Sequence, residues 1–190
     1  IHMDKTKTII GLTGKIACGK GTFADYLIQK YGTKKFGFSD PLKETLFIYD
    51  IEPSRQNLQL LSTVLRQNFS EDILAKALIK RALTAHENIV IIDGVRRLTD
   101  IENFRKLNNF FLVFVDTDEK IRYERYIKRN QSPGDESMSY ENFKKKDSAE
   151  SENQIEGLKK FSKHIITNNE SAEKFLQKTD EIIKLLKLKT

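Results

Sequence analysis

Ile9-Ile10-Gly11-Leu12, followed by Gly14-Lys15-Ile16-Ala17-Cys18-Gly19-Lys20-Gly21-Thr22, is the stretch whose reading decides the fold. An apolar run, a glycine-bounded loop and an amphipathic segment over 22–30 come in that order, which is the strand–loop–helix context a phosphate-binding loop requires. Gly14 and Gly19 let the backbone turn tightly, so that successive N–H groups face an anion. The helix that follows adds its positive N-terminal end, and Lys20 adds a mobile cation. The strict pattern GxxxxGK[ST] is missed by one place, because Gly21 follows the lysine and Thr22 comes after it. The stretch predicts a cradle for the phosphates of a nucleoside triphosphate, lined by Gly14, Lys15, Ile16, Ala17, Cys18, Gly19, Lys20, Gly21 and Thr22. Cys18 reads as a small filler in that loop and not as a nucleophile.

The rest of the chain repeats the alternation that this stretch begins. Short apolar runs at 8–12, 35–38, 89–93, 110–115 and 164–167 predict strands. Several are apolar almost throughout, as expected where helices cover both faces of a parallel sheet. Helical patterns fill 22–30, 41–49, 54–69, 71–85, 99–107, 118–130, 140–163 (with a break allowed) and 171–187. Asp40 before Pro41 reads as an N-cap with proline at the first helical position. The predicted fold class is α/β, a three-layer phosphate-loop fold. Its five-stranded parallel sheet would carry ligands at the carboxyl ends of the strands.

With 190 residues, 38% of them apolar, the chain suits one domain over 4–190, and Ile1-His2-Met3 reads as a cloning remnant. No apolar run approaches the length of a membrane span, and one cysteine excludes a disulfide framework. These features predict a cytoplasmic protein with no membrane partner. The net charge of +6 suits an anionic substrate, although lysine-rich solvated faces account for much of it. The three histidines show no ligand spacing.

Three constellations stand beside the loop. Ile89-Val90-Ile91-Ile92-Asp93 is an apolar strand ending in a carboxylate, a setting that positions magnesium in phosphate-loop enzymes but also one that merely opens a turn. Gly94-Val95-Arg96-Arg97 then places two guanidinium forks where bidentate phosphate binding would use them. In 54–69, Leu58, Leu61, Leu65 and Phe69 make one stripe, and Arg55, Gln59, Ser62 and Arg66 make another. A solvated helix face would look similar, except that the alternating Glu/Lys pairs of such a face are missing. Arg122, Arg125 and Arg129 share one face just ahead of a polar segment carrying Pro133-Gly134, an arrangement that fits either a bound anion or a basic surface stripe.

These residues resemble a family. The spelling GxxxxGKGT is similar to the nucleoside monophosphate kinases such as adenylate kinase, and Asp93-Gly94-Val95-Arg96 is similar to that family's Asp-Gly-Phe-Pro-Arg, offset by one at the arginine. Phe38-Ser39-Asp40-Pro41-Leu42-Lys43-Glu44, with Pro53-Ser54-Arg55, Gln59, Ser62-Thr63 and Arg66, resembles deoxynucleoside monophosphate kinases of the bacteriophage type, with Ser62 in place of a glycine. The second half, with Arg122, Arg125, Arg129, Asp147 and Thr167-Asn168-Asn169, looks more like dephospho-coenzyme A kinase and archaeal kinase-like proteins.

The resemblance implies transfer of the γ-phosphoryl group of ATP to a (deoxy)nucleoside monophosphate, with dephospho-coenzyme A as the alternative acceptor. It implies Lys20 and the loop amides on ATP, Thr22 and Asp93 on Mg2+, and Asn168 at the adenine. Arg55, Arg66 and Arg96 would hold the acceptor phosphate, with Asp40, Lys43 and Gln59 nearby. It further implies an acceptor-binding helical region at about 40–85 and a lid at about 130–147, whose closure would bring Arg122, Arg125 and Arg129 over the transferring group. A rival of another class is a nucleotide-dependent switch or an RNA-associated ATPase. The absence of an Asn-Lys-x-Asp motif and of an aromatic-rich basic segment weakens both forms, so nucleic acid is not an expected partner. A monomer and a dimer are both open.

Overall fold

Alternate residues of the central strands face opposite ways, and both sets are apolar, so the sheet has to be covered twice. The computed structural model describes residues 7–129, 135–148 and 150–187. Among these, β1 (Thr8–Thr13), β2 (Lys34–Gly37), β3 (Ile89–Asp93), β4 (Phe110–Asp116) and β5 (His164–Thr167) form one sheet in the order β2-β3-β1-β4-β5. Every pairing is parallel. β1 is central and buried at every position.

On one face, Ile10, Leu12, Ile91, Val113 and Val115 pack with Phe23 and Leu27 of α1 (Lys20–Tyr31) and with Phe175, Ile183 and Leu186 of α9 (Ala172–Lys187). On the other, Ile9, Val90, Ile92 and Leu112 meet Ala75, Leu78 and Ala82 of α4 (Ile73–Thr84), Ile101 of α5 (Leu98–Ile101) and Leu158 of α8 (Glu150–Leu158). This is the predicted α/β layering. Lys7 closes the end of α4, its ammonium donating to the carbonyls of Ala82 at 3.1 Å and Leu83 at 3.2 Å, where the helix leaves acceptors without partners.

The remaining helices stand at the carboxyl edge. They are α2 (Asp40–Ile48), α3 (Arg55–Asn68), α6 (Glu119–Arg129) and α7 (Tyr140–Asp147). Two sequence-based expectations need correcting, and two are sharpened. Ser39, not Asp40, is the N-cap of α2, because the Asp40 carboxylate turns back to accept from the Gly37 amide at 2.6 Å. The single helix expected over 99–107 is α5 followed by a 3-10 turn at Phe104–Lys106, an arrangement in which Ile101 and Phe104 are both fully buried. The helical stretch over 140–163, for which a break was allowed, is α7, α8 and a 3-10 turn at Lys159–Phe161, with Ser148 at the C-cap of α7, where its hydroxyl donates to the Lys144 carbonyl at 2.9 Å. The apolar stripe of α3 is only half-buried at Leu58, Leu61 and Leu65, and Phe69 is 72% exposed. The buried residue of α3 comes from its polar stripe instead: it is Arg66.

Candidate nucleotide-binding site

The loop between β1 and α1 is shaped by three left-handed backbone positions, at Gly14 (φ 143°), Ala17 (φ 59°) and Gly19 (φ 109°). At the two glycines space matters as well as conformation. A side chain on Gly14 would strike the Val115 carbonyl and crowd the Cys18 sulfur at 2.8 Å, and one on Gly19 would strike the Asn168 amide. Lys20, the first residue of α1, arches back over the loop, its Nζ donating to the Gly14 carbonyl at 2.5 Å and the Lys15 carbonyl at 3.0 Å. Gly21 and Thr22 follow on the exposed side of the first turn of α1. Cys18 is 1% exposed, and its carbonyl accepts from the Thr117 hydroxyl and from the Asn168 side-chain amide, both at 2.9 Å. Asn168 is thus a brace of the loop. Thr117 does the same work and carries no signal in the sequence beyond its place after an apolar strand.

β3 delivers Asp93 beside the loop, in register with Leu12 on one side and Gly37 on the other. Its Oδ1 accepts from the Gly94 amide at 2.8 Å, and Gly94 takes a left-handed φ of 83°. Two residues on, the Val95 carbonyl accepts from the Thr13 hydroxyl at 2.9 Å, which pins this turn to the strand that launches the phosphate loop. Arg96 and Arg97 follow, both exposed. Lys43 on α2 and Arg55 and Gln59 on α3 are exposed as well, while Arg66 is buried and its Nη2 donates to Asp100 Oδ1 at 2.9 Å. Asp100, an acid in the first turn of α5, carries no signal in the sequence that singles it out.

The three arginines of α6 have three different surroundings. Arg122 is buried. It donates through Nε to the Thr117 carbonyl at 3.0 Å, through Nη1 to the Ile16 carbonyl of the loop at 3.3 Å, and through both terminal nitrogens to the carboxylate of Asp147. Lys15 reaches the same carboxylate at 3.5 Å. Burial disfavours the Asp147 anion, but the hydrogen-bonded Arg122 guanidinium and the Lys15 charge outweigh it and hold the carboxyl below the ordinary carboxylate range. Burial likewise opposes the Arg122 cation, and its bonds to Asp147 outweigh that and raise its pKa. Arg125 is half-buried, 3.4 Å from Asn168 Oδ1, and Arg129 is exposed with its guanidinium 5.0 Å from the Tyr126 ring centroid. Neither a bound anion nor a bare basic stripe describes Arg122, because α7 brings Asp147 onto its face from 25 residues further along the chain.

Of the expected lid, 130–134 lie outside the described residues, Pro133-Gly134 among them. The part that is described is packed down: Tyr123, Tyr126, Tyr140 and Phe143 form an aromatic cluster between α6 and α7, and the Tyr123 hydroxyl donates to the Met138 carbonyl at 2.9 Å.

Among the described residues no group of three His, Cys, Asp or Glu side chains could cage a metal. Magnesium that arrives on nucleotide phosphates needs no such cage, since it keeps several waters and takes one or two protein oxygens. A Thr22 hydroxyl and an Asp93 carboxylate fit that role. No helix among the described residues is long and apolar enough to cross a membrane.

A parallel sheet in this order, a glycine-bounded loop feeding a helix that begins with lysine, and arginines at the neighbouring strand end together define a kinase-like phosphate-loop protein. A family model described as an AAA domain matches residues 10–155, and the chain belongs to that family and to the UPF0200 proteins. It is 32% identical over 176 residues to a UPF0200 protein of Sulfurisphaera tokodaii, covering 93% of this chain and 96% of the relative. A UPF0200 protein of Saccharolobus solfataricus is 29% identical over 184 residues, 95% of each chain. The fold is similar to that of a shikimate kinase from Acinetobacter baumannii, with a TM-score of 0.57, 14% identity, and 96% of this chain and 94% of that one covered. It is also similar to a gluconokinase from Sinorhizobium meliloti, with a TM-score of 0.56, 12% identity, and 95% and 94% covered.

Proposed function

We propose that this protein transfers the γ-phosphoryl group of ATP to a small anionic acceptor, most specifically a (deoxy)nucleoside monophosphate. One observation carries the reading. The Thr13–Val95 hydrogen bond joins the phosphate loop to the turn bearing Arg96 and Arg97, so a donor cradle and an acceptor anion site share one rigid edge. Phosphoryl transfer asks little more of a protein than to hold two phosphates in line and neutralise the charge between them. Lys20 and the loop amides hold the ATP phosphates. Thr22 and Asp93 position Mg2+, which when bound offsets charge on the phosphates. Arg96, with Arg55, Lys43 and Gln59 on the neighbouring helices, takes the acceptor.

A panel tests the reading: nucleoside and deoxynucleoside monophosphates, dephospho-coenzyme A, shikimate and gluconate, each assayed for phosphorylation by ATP and Mg2+. Phosphorylation of a monophosphate is the expected result. Shikimate and gluconate belong in the panel because proteins of similar fold are kinases of those names. Dephospho-coenzyme A is the second acceptor to watch. An open groove beside α2, lined by Lys43, Phe47, Ile48, Ile51 and Pro53 among others, adjoins the proposed acceptor site only through Lys43, and a longer acceptor could extend along it. ATP hydrolysis with no acceptor phosphorylated would point to a nucleotide-dependent switch or an RNA-associated ATPase.

Arg55 gives a sharper check. Replacing it with alanine is expected to raise the acceptor KM by roughly 10- to 150-fold, the equivalent of about 1.5–3 kcal/mol for a lost charged hydrogen bond, with the ATP KM nearly unchanged. Equal effects on both substrates, or none, would reduce α3 to a solvated face.

A further inference from the structure

Arg66 and Arg96 were expected to grip the same acceptor phosphate, yet in the fold they are joined to each other through a third residue. Asp100 is 3% exposed. Its Oδ1 accepts from Arg66 Nη2 at 2.9 Å, and its Oδ2 accepts from the backbone amides of Arg96 at 3.1 Å and Arg97 at 3.0 Å. Arg66 also donates from Nη1 to the Glu71 carbonyl, which ties the end of α3 to the approach to α4. Both terminal nitrogens of the guanidinium are thus bonded to protein acceptors, and its Nε is buried without a hydrogen-bond partner among the described residues, while the side chains of Arg96 and Arg97 stay exposed at the strand's carboxyl end.

We propose that Asp100 is the positioning residue of the acceptor site, and that Arg66 acts through it and not on the acceptor. The turn 94–97 is anchored at one end by Thr13 of the donor strand and at the other by Asp100. Arg66 is the buried residue of α3, so the same carboxylate also fixes the helix that carries Arg55 and Gln59. One buried anion therefore sets the distance between the two arginine-bearing elements, and both are referenced to the phosphate loop. A carboxylate can do this because it accepts on both oxygens at once, taking two neutral amides on one and a cation on the other. An amide side chain cannot: one of its two ends presents a donor to a donor.

This inference rests on the kinase reading of the site, so the experiment has to separate the two. Asp100→Asn is expected to raise the KM of the best monophosphate acceptor ~10- to 100-fold through displacement of the arginines, with the ATP KM within about two-fold of wild type. Asp100→Glu is expected to recover part of the loss. Arg66→Met should show the same pattern, and the double variant should be no worse than the worse single one, because both changes cut the same link. If the two effects multiply in full, Arg66 touches the acceptor itself and the relay is wrong. If Asp100→Asn shifts both KM values equally or neither, Asp100 has no positioning role.

Amide hydrogen exchange on the unliganded wild-type protein gives a measurement that needs no variant and no acceptor. The Arg96 and Arg97 amides are expected to exchange slowly, and rapid exchange at both overturns the clamp even if the variants fail to fold. Failure of the kinase reading looks different: the wild-type protein phosphorylates nothing in the panel while those two amides stay protected.

Discussion

Lys20→Ala is expected to abolish phosphoryl transfer while leaving the fold intact. The Lys20 ammonium is held by the carbonyls of Gly14 and Lys15 at the mouth of the loop, on a helix whose core contacts come from Phe23, Ala24 and Leu27. Removing it takes away the cation at the loop without opening a cavity in the core. One cation that stabilises the charge developing on a transferring phosphoryl group is worth about 10³-fold or more in rate. Turnover with saturating substrates is the measurement, with circular dichroism and thermal melting as the control for folding. A variant with turnover near that of the wild type would remove the kinase assignment, whatever its acceptor.

The second large effect is on stability. Asp147→Asn leaves Arg122, 3% exposed, without the carboxylate that both of its terminal nitrogens reach. Breaking a buried pair from one side costs about 3–5 kcal/mol, because the surviving charge is uncompensated. In a chain of this size that corresponds to a fall in Tm of roughly 10 °C. The pH dependence follows from the sign of the shift. The pKa of Asp147 is lower in the folded protein than in the unfolded chain. Its contribution is therefore fully present above the ordinary carboxylate pKa of about 4 and is lost as pH falls through the lower folded value. Wild type should thus lose stability more steeply than Asp147→Asn below pH ~4. Parallel acid-unfolding curves, or a Tm unchanged by the substitution, would show that the link between α7 and the phosphate loop is dispensable.

The two predictions divide along the line between what local sequence encodes and what the fold assembles. The place of Lys20 over the loop was legible because everything that defines it lies within one strand–loop–helix unit: the glycines, the lysine and the apolar run are neighbours in the chain, and their geometry is fixed by short-range backbone rules. The strands were legible for a similar reason, since runs such as Ile89-Val90-Ile91-Ile92 are apolar on both faces and admit few other structures in water. Element ends were less so. Whether 99–107 continues as one helix depends on how Phe104 enters the core, which no local pattern records.

The arginines mark the limit. Periodicity placed Arg66 on one stripe of α3 and Arg122 on one face of α6, and it could say nothing of what stands opposite. Their partners, Asp100 and Asp147, lie 34 and 25 residues away along the chain. An exposed guanidinium waiting for a phosphate and a buried one bonded to a carboxylate have the same spelling, because helical spacing records direction and not distance. The sequence by itself determined that the chain would build a parallel sheet with a phosphate loop after its first strand, while the central place of that strand is a tertiary fact. Only the tertiary structure decided which arginines remain exposed and which are buried against carboxylates, since burial and pairing are properties of elements brought side by side.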